Sequence, residues 1–371
     1  MSTVPSIPPL VDEIEKSTAA KSRGYWSETW LRFRRRKLAL AAVLFVCFMS
    51  SVAILAPAIV GTKPLICKYK GKVYFPALGY FVGSWENAYL RTEVRTIYPA
   101  NLKKKDSDSW ALWPLIYQDP FRRVRDDEWG TRPGNPSGAA GSPSRVNLFG
   151  TTTAGFDVFA IMIHGTRTAL LVGFVSMGIA GTIGVFVGAL AGYFRGPADV
   201  AISRAIEVVL CIPTLVLILA LVAMLEKPQI WHTMAIIGCT QWTTIARLAR
   251  AEFLKLRESE FVMSARALGV KPARIIFRHV LRNALAPVLV PITFGIAGAI
   301  LIESALSYLG FGPPPPNASW GDLLSQGRED MQMWWLIIFP GAAIFFTVLA
   351  YNLIGEGLQE ATDPRLREAG K

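Results

Sequence analysis

The sequence predicts an all-α integral membrane protein with six transmembrane helices, and its apolar residues are the main reason. The chain of 371 residues is 52% hydrophobic, yet it carries a net charge of +12, a combination that soluble basic proteins seldom show. The apolar residues fall in long runs, and a helix that crosses a bilayer needs about 20 of them. Both features are explained if these runs lie in lipid and the basic residues lie in the loops beside them.

Four runs contain no charged residue and are long enough to cross a bilayer. They are residues 38–62, 168–194, 284–302 and 331–355. Two weaker runs, at 208–225 and 228–245, give the predicted third and fourth spans. The fourth is the least apolar of the six because it carries His232, Gln241 and several threonines.

The distribution of charge predicts which loops face the cytoplasm. The first apolar run is too long for the core of a signal peptide, so we expect it to be retained as the first span. The positive-inside rule places the cluster "RFRRRK" at 32–37 inside, together with the segment 247–282, which has nine Lys or Arg against three Glu. With six spans, both termini are expected in the cytoplasm. The loop at 61–165 is expected outside despite 14 basic residues, because long loops cross largely regardless of charge.

These assignments divide the chain into five parts. They are a cytoplasmic N-terminal tail at 1–37, the first transmembrane helix at 38–60, an extracytoplasmic insert at 61–165, a block of five helices at 166–358 that includes a cytoplasmic loop at 247–283, and a cytoplasmic C-terminal tail at 359–371. The insert is predicted to be an irregular α/β region with a β-hairpin that turns at Gly71. Gly184, Gly188 and Gly192 form two GxxxG patterns that favour close helix packing.

The sequence lacks the motifs of common enzymes and of ATPases. It contains no GxxxxGK[ST], HExxH or GxSxG pattern, and its four cysteines and three histidines are too scattered for a disulfide framework or a metal site. Ionisable residues near the predicted spans are Arg204, Glu207 and Glu303, which are candidates for a role in translocation or in structure. Arg204 and Glu207 stand three apart and can pair on a helix surface.

Residues 264–285 are predicted to form two short amphipathic helices joined by a tight turn. A basic stripe lies on one side and an apolar stripe on the other; the stripes are Lys271, Arg274, Arg278 and Arg282, and Ile276, Phe277 and Val280. Gly269 is suited to end the first helix and Pro272 to begin the second.

This pattern fits either a helix-turn-helix that reads DNA or a lever that receives motion from a cytoplasmic partner. The loop is tied to the membrane at both ends, which favours the lever and gives no reason to expect nucleic acid. A partner that hydrolyses ATP would supply the energy source that the chain itself lacks.

The segment "EFLKLRESEFVMSARALGVKPARIIFRHVLRNALAP" at 252–287 resembles the EAA coupling loop of ABC-importer permeases in the dipeptide/oligopeptide family. Four further blocks resemble that family in the same order: they lie at 148–174, 192–225, 302–327 and 355–367. The match is to the second, C-type permease of the pair. The large insert, with "KPLICKYKGKVYFP", resembles the permeases of microcin C/oligopeptide-type transporters.

The sequence departs from the family pattern at several positions. Thr152 and Phe156 replace an Asp and an Arg before the second span, so the polar contacts of those residues are absent. In the coupling loop, Met263 and Arg282 stand where the family has a charged residue and a proline, and Ser264 replaces an alanine. Ala265 and Gly269, which the motif most needs, are retained.

The resemblance implies a type I ABC importer permease in a bacterial cytoplasmic membrane. It implies four kinds of partner: a second, B-type permease, two cytoplasmic ABC ATPases, an extracytoplasmic solute-binding protein and the lipid membrane. ATP and Mg would be bound by the ATPases, with no cofactor on this chain, so the chain is not an enzyme. The solute would be a peptide or peptide-like compound, although related permeases also move nickel, glycosides and opines. An exporter permease or a self-sufficient channel is a weaker alternative.

The resemblance also assigns candidate residues for coupling to the ATPase. They are Ser264, Ala265, Arg266, Gly269, Arg274 and Arg278. The small Ser264 and Ala265 would let the helix sit close in a cleft of the ATPase, and Gly269 would set the angle between the helices. The arginines would pair with groups on the ATPase, or alternatively with lipid phosphates.

Overall fold

The fold is that of a computed structural model, which describes residues 25–81, 98–99, 101–124, 128, 141–226, 228–314 and 317–362. The first 24 residues of the predicted N-terminal tail and residues 363–371 of the predicted C-terminal tail lie outside these ranges.

Helices account for most of the described chain. In order they are α1 (Tyr25–Arg35), α2 (Lys37–Ile59), the short α3 (Leu102–Lys105), α4 (Val158–Phe194), α5 (Gly196–Leu210), α6 (Thr214–Ala223), α7 (Ile230–Arg257), α8 (Glu260–Ala267), α9 (Pro272–Tyr308), α10 (Trp320–Glu329) and α11 (Trp335–Thr362). Three short strands, β1 (Ile66–Tyr69), β2 (Lys72–Tyr74) and β3 (Trp110–Leu112), form one sheet in the order β2-β1-β3.

Four helices of the described chain are long and apolar enough to cross a membrane. The bent pair of α5 and α6 gives a fifth span if the two helices are counted together. The four are α2, α4, α9 and α11, and they correspond to the predicted first, second, fifth and sixth spans, with ends that differ by a few residues in α2 and α11. At 37 residues each, α4 and α9 are about 55 Å long and therefore extend well beyond a hydrocarbon layer of about 30 Å. Helix α4 begins ten residues before its apolar run because Asp157 caps it, accepting a hydrogen bond from the Ala160 N–H at 2.7 Å.

The predicted third span is not one straight helix. Helices α5 and α6 meet at 80°, and the break falls at Cys211, Ile212 and Pro213. Proline has no N–H to donate, and it disfavours helical backbone at the residue before it. The predicted third span at 208–225 is therefore a broken helix, since Pro213 lies inside the apolar run.

The predicted fourth span is a helix, α7, but it falls short of the apolar character of the others. Its neighbours explain how it is accommodated: α7 packs along α4 and also against α6 and α9. Three of its threonines, Thr233, Thr240 and Thr243, are buried in the protein, whereas His232 and Thr244 are exposed. The sixth membrane crossing stays a prediction.

Close packing of α4 on α7 depends on the glycines that the sequence singled out. A Cβ at Gly184 would lie 2.8 Å from the Trp242 carbonyl oxygen, and one at Gly188 would lie 2.5 Å from the Ala246 carbonyl oxygen. Real Cβ atoms do not approach a backbone so closely, so only glycine permits this distance between the helices. The predicted role of these glycines in helix packing is confirmed.

The insert contains the predicted hairpin. Strands β1 and β2 pair antiparallel with Tyr69 opposite Lys72, which leaves Lys70 and Gly71 as a two-residue turn. Both have positive φ, of 49° and 75°, as a type I′ turn requires. Strand β3 pairs with the other edge of β1. One face of the sheet is buried, and on this face Tyr69 of β1 packs with Leu102 of α3.

Candidate functional site

The chain between α7 and the apolar part of α9 folds as a helical elbow, residues 260–282, called the elbow below. Gly269 links its two arms with a φ of 72°, a left-handed conformation that glycine adopts without steric cost. The Gly269 N–H donates to the Arg266 carbonyl at 2.9 Å, and the Val270 N–H donates to the Ala265 carbonyl at 3.1 Å. These two bonds form a Schellman motif, which ends the first arm and fixes the direction of the chain beyond it. The predicted bend at Gly269 is confirmed.

One side of the elbow packs on its own chain. Side chains from both arms form a small core with α4 and α7; its buried members include Tyr193, Phe253, Val262, Ala265, Ile275, Ile276, Val280 and Ala284. Because both arms contribute to one core, the elbow is held as a unit against the ends of α4 and α7.

The second arm contains a π-helical segment, Ile275–Val280. Its wider turns bring residues five apart onto one side, and Ile275 and Val280 are both buried. The sequence placed Phe277 on the apolar side with Ile276, but Phe277 is 61% exposed. Phe277 nevertheless lines the same apolar groove as Ile276, so it lies on the predicted side although much of its ring is uncovered.

The structure separates the candidate coupling residues of the first arm. Ser264 is exposed, as a contact with a partner requires, but Ala265 is buried against its own chain. The expectation that Ala265 lies in a cleft of a partner is therefore corrected: its small side chain lets α8 sit close to the core of the elbow. The Arg266 guanidinium lies over the Tyr193 ring at 5.2 Å, so it already has a cation–π partner within the chain.

The second arm presents its basic stripe to the outside. Lys271, Arg274, Arg278 and Arg282 are all exposed, as predicted. Within the described part of the chain, no carboxylate forms an ion pair with Arg274 or Arg278. The first arm and the turn also expose apolar side chains, with Leu268 83% exposed and Met263 50% exposed. Exposed apolar residues beside unpaired arginines are typical of a surface that a protein partner covers.

Ionic contacts that the sequence did not reveal fix α7 just before the elbow. Asp199 of α5 accepts two hydrogen bonds from the Arg250 guanidinium, one of them 2.8 Å from Nη2 to Oδ2. Arg195 pairs with Glu258 at 2.8 Å, and Arg257 donates to the Tyr193 carbonyl at 2.6 Å. The opposite charges of Asp199 and Arg250 were visible in the sequence, but only the fold brings residues 51 apart together.

Arg204 and Glu207 form the predicted pair. Arg204 Nη1 lies 2.6 Å from Glu207 Oε2, and the two side chains are 75% and 58% exposed. An exposed pair of this kind contributes little to stability.

Glu303 takes part in a closed arrangement where α9 is joined to α10, called the Glu303 junction below. Its Oε1 accepts hydrogen bonds from the Ser307 and Ser319 hydroxyls, each at 2.8 Å, and the residue is only 2% exposed. Trp320, which follows Ser319, donates a hydrogen bond from Nε1 to the Met162 carbonyl at 3.0 Å. Glu303 thus ties the end of α9 to the start of α10, which supports the structural alternative for its role.

The structure explains one of the two departures before α4, the threonine at position 152. Thr152 is fully buried, and its hydroxyl accepts a hydrogen bond from the Phe156 N–H at 3.1 Å, so a threonine closes the turn where the family has an aspartate. The following Asp157 is buried and accepts a hydrogen bond from the Asn147 amide at 2.7 Å. Burial raises the pKa of the Asp157 carboxyl to about 6.

Within the described ranges, no three His, Cys, Asp or Glu side chains are grouped closely enough to hold a metal ion. The cysteines at 47, 67, 211 and 239 are all free thiols.

Two family models match the chain. Residues 184–368, which contain the elbow and the Glu303 junction, match the binding-protein-dependent transport system inner membrane component. Residues 24–69, which contain α1 and α2, match the N-terminal transmembrane domain of oligopeptide transport permease C. The chain belongs to the family of inner-membrane permeases of binding-protein-dependent transport systems.

Similar proteins place it more narrowly within that family. The dipeptide transport system permease protein DppC of Alkalihalophilus pseudofirmus is 39% identical over 63% of this chain and 77% of its own length. A putative peptide transport system permease protein of Brucella suis is 38% identical over 62% and 77%. The inner membrane ABC transporter permease protein YejE of Escherichia coli is 33% identical over 90% and 96%. The chain is therefore a dipeptide/oligopeptide ABC permease, as the motifs predicted.

The fold class follows from this membership: the protein is a type I ABC importer permease and an integral inner-membrane protein, and it is not an enzyme. A solved structure of the MetNI methionine ABC transporter is similar with a TM-score of 0.43 and 17% identity, covering 54% of this chain and 97% of that chain. The match to YejE covers nearly the whole chain, so most of the insert is shared with that relative.

Proposed function

We propose that this chain is the C-type permease of an ATP-driven importer for peptides or peptide-like solutes, and that the elbow couples it to a cytoplasmic ATPase. Its partners would be a B-type permease, two ABC ATPases that bind ATP and Mg, and a solute-binding protein on the other side of the membrane. Both termini would then lie in the cytoplasm. The observation that carries the proposal is the division of the elbow into a side packed on its own chain and a side left exposed.

The geometry supports a mechanical role for the elbow. Helix α9 runs from Pro272 to Tyr308, so the second arm and the transmembrane part are one continuous helix. A force applied to the exposed side by closing ATPases would therefore reach the Glu303 junction at the far end of α9. The contact between Asp199 and Arg250 would carry the same movement to α5, and so to the bent pair of α5 and α6.

The residues divide into contact and support roles under this proposal. Ser264, Arg274 and Arg278 lie on the exposed side and would touch the ATPase, together with Leu268. Ala265 and Arg266 would hold the first arm on the core, and Gly269 would set the angle between the arms. Contact of Arg274 and Arg278 with lipid phosphates is the alternative role for these two residues.

Peptides are the proposed solute because several similar proteins are peptide or dipeptide permeases by name. A microcin-like solute is a narrower expectation, based on the enlarged insert. Melting shifts of the cognate binding protein over a peptide library would identify the solute class.

Two substitutions at Gly269 test the coupling role directly. Asn and Asp both tolerate a positive φ better than other residues, and no atom lies within 4 Å of a Cβ at Gly269. Both variants should therefore fold and insert. We expect Gly269→Asn to retain most uptake and Gly269→Asp to abolish it, because only the second adds a negative charge to the exposed side.

Uptake and co-purification of the ATPase subunits are measured for both variants. Normal uptake by Gly269→Asp, with the ATPases still bound, would contradict the coupling role. A helix-turn-helix regulator would instead show salt-sensitive DNA binding, and recovery of ATPase subunits without DNA excludes it.

A further inference from the structure

The small sheet of the insert has two unlike faces. One face is buried, with Cys67 3% exposed and Tyr69 5% exposed. The opposite face is apolar as well: Val73, Trp110 and Leu112 are 50%, 50% and 53% exposed. The exposed face of an antiparallel sheet usually carries polar side chains, so an apolar face of this kind marks a surface that something covers.

The pairing of the strands makes this face continuous. Lys68 lies opposite Val73 on one side and opposite Trp110 on the other, and Ile66 lies opposite Leu112. The Lys68 ammonium is paired with Asp108 at 2.7 Å, so the row of Val73, Lys68 and Trp110 carries little net charge.

The chain beyond β3 runs directly to the end of the first membrane helix. The Leu115 N–H donates to the Ala58 carbonyl at 3.0 Å, and the Ile116 N–H donates to the Ile59 carbonyl at 2.9 Å. These bonds satisfy carbonyls of the last turn of α2 that have no partner within the helix. Leu115 is itself 78% exposed, so this segment also exposes an apolar side chain where it meets the end of the span.

Distances along the chain place the whole face close to the lipid. Helix α2 has 23 residues and is about 35 Å long, so its last turn lies at the edge of a hydrocarbon layer of about 30 Å. At the rise of an extended chain, Leu112 is at most about 10 Å from Leu115, and Trp110 at most about 17 Å. The headgroup layer is about 5–8 Å deep on each side, so a strand that is strongly inclined to the membrane normal would keep these side chains within it.

We propose that the apolar face formed by Val73, Trp110, Leu112 and Leu115 lies on the leaflet surface at which α2 ends, and contacts phospholipid. The insert would then be a membrane-anchored platform. This inference needs only that α2 spans the membrane, so it stands independently of coupling to an ATPase.

The composition of the face favours lipid over a protein partner. Tryptophan is enriched at membrane interfaces, where its ring is apolar and its N–H remains hydrated. The direct hydrogen bonding of the same segment to α2 makes the face continuous with the surface that already contacts lipid.

Spin labels on the full-length chain test the proposal. The chain is reconstituted in nanodiscs of phosphatidylethanolamine and phosphatidylglycerol, with the four native cysteines replaced by alanine. Labels are placed at Leu112→Cys and Leu115→Cys, and at Lys103→Cys as a matched control, since Lys103 is exposed on the same insert. Accessibility to oxygen, which concentrates in lipid, and to a water-soluble nickel chelate is then measured for each label.

We expect the labels at 112 and 115 to favour oxygen over the nickel chelate, and the label at 103 to favour the chelate. Equal behaviour at the three positions would overturn the proposal, because the face would then be in water. Protection of 112 and 115 from both reagents would also overturn it, since protein and not lipid would cover the face.

Tryptophan fluorescence provides a second readout that needs no label. The emission of Trp110 is obtained as the difference between the wild-type chain and Trp110→Phe, both carrying the native cysteines. Brominated phospholipids should quench this difference emission, and a difference emission that they leave unchanged would contradict the proposal.

Discussion

The elbow and the Glu303 junction lie at the two ends of the same helix, α9, and they use polar side chains in opposite ways. At the junction, Glu303 is buried and its Oε1 accepts hydrogen bonds from Ser307 and Ser319. At the elbow, Arg274 and Arg278 extend from an exposed surface with no ion pair in the described chain. One end of α9 is thus completed by its own chain, whereas the other is exposed and, as we propose, is covered by a partner.

The difference teaches how to separate structural from functional polar residues in this permease. A buried carboxylate near a membrane span suggests a role in translocation, yet the contacts of Glu303 give it a structural one. Charged residues at a surface do not by themselves indicate a function. Arg274 and Arg278, however, belong to an elbow that also exposes Leu268 and whose other side packs on its own chain. The decisive observation in each case is whether the chain supplies the partner.

The Glu303 junction should show the largest effect on stability. Glu303→Ala removes the acceptor of two buried hydroxyls and leaves a cavity, so we expect a loss of about 3 kcal/mol or more in the free energy of unfolding. Glu303→Gln keeps an oxygen at the same place and should be close to wild type in stability and uptake. Thermal unfolding and uptake are measured for both. A stable Glu303→Gln variant that has lost uptake would show that the charge itself is needed, which contradicts the structural role.

Helix packing behind the elbow should show the next largest effect. A Cβ at Gly188 would lie 2.5 Å from the Ala246 carbonyl oxygen, whereas nothing lies within 4 Å of a Cβ at Gly178. Gly188→Ala should therefore lose about 1–3 kcal/mol through overpacking, and Gly178→Ala, on the same helix, should lose nothing. Equal thermal midpoints for the two variants would mean that α4 and α7 are not in this close contact.

The contact between Asp199 and Arg250 should have a smaller effect on stability and a clear effect on coupling. Asp199→Ala breaks a doubly hydrogen-bonded ion pair that is partly buried, at a cost of about 1–2 kcal/mol. Arg204→Ala breaks the exposed pair with Glu207 and should cost less than about 0.5 kcal/mol. A double-mutant cycle with Arg250→Ala measures the interaction energy, and uptake per ATP hydrolysed measures coupling. If Asp199→Ala and Arg204→Ala behave alike, the anchoring of α7 to α5 is not supported.

Much of this arrangement could be predicted from the sequence, because hydrophobic runs and turn residues act locally. The spans at α2, α9 and α11, the hairpin at Gly71 and the bend at Gly269 each follow from a few neighbouring residues. The motifs also identified the family, since five blocks in the same order are far more specific than any one of them.

The remainder depends on contacts between distant residues. No local sequence pattern predicts the π-helical segment or the exposure of Phe277 within it. The burial of Ala265 and the stacking of Arg266 on Tyr193 depend on where the ends of α4 and α7 lie. Helix α7 is less apolar than the other spans, and its packing against α4, α6 and α9 explains how it is accommodated.

Thiol labelling at the elbow tests the central claim most directly. Leu268→Cys and, as a control, Arg34→Cys are exposed positions, and each is introduced into a chain whose own cysteines are replaced by alanine. The rate of reaction with a membrane-impermeant maleimide is measured in inverted membrane vesicles with and without the co-expressed ATPase subunits. We expect the ATPases to slow labelling at 268 sharply and to leave labelling at 34 unchanged. Equal labelling at 268 with and without the ATPases would contradict it.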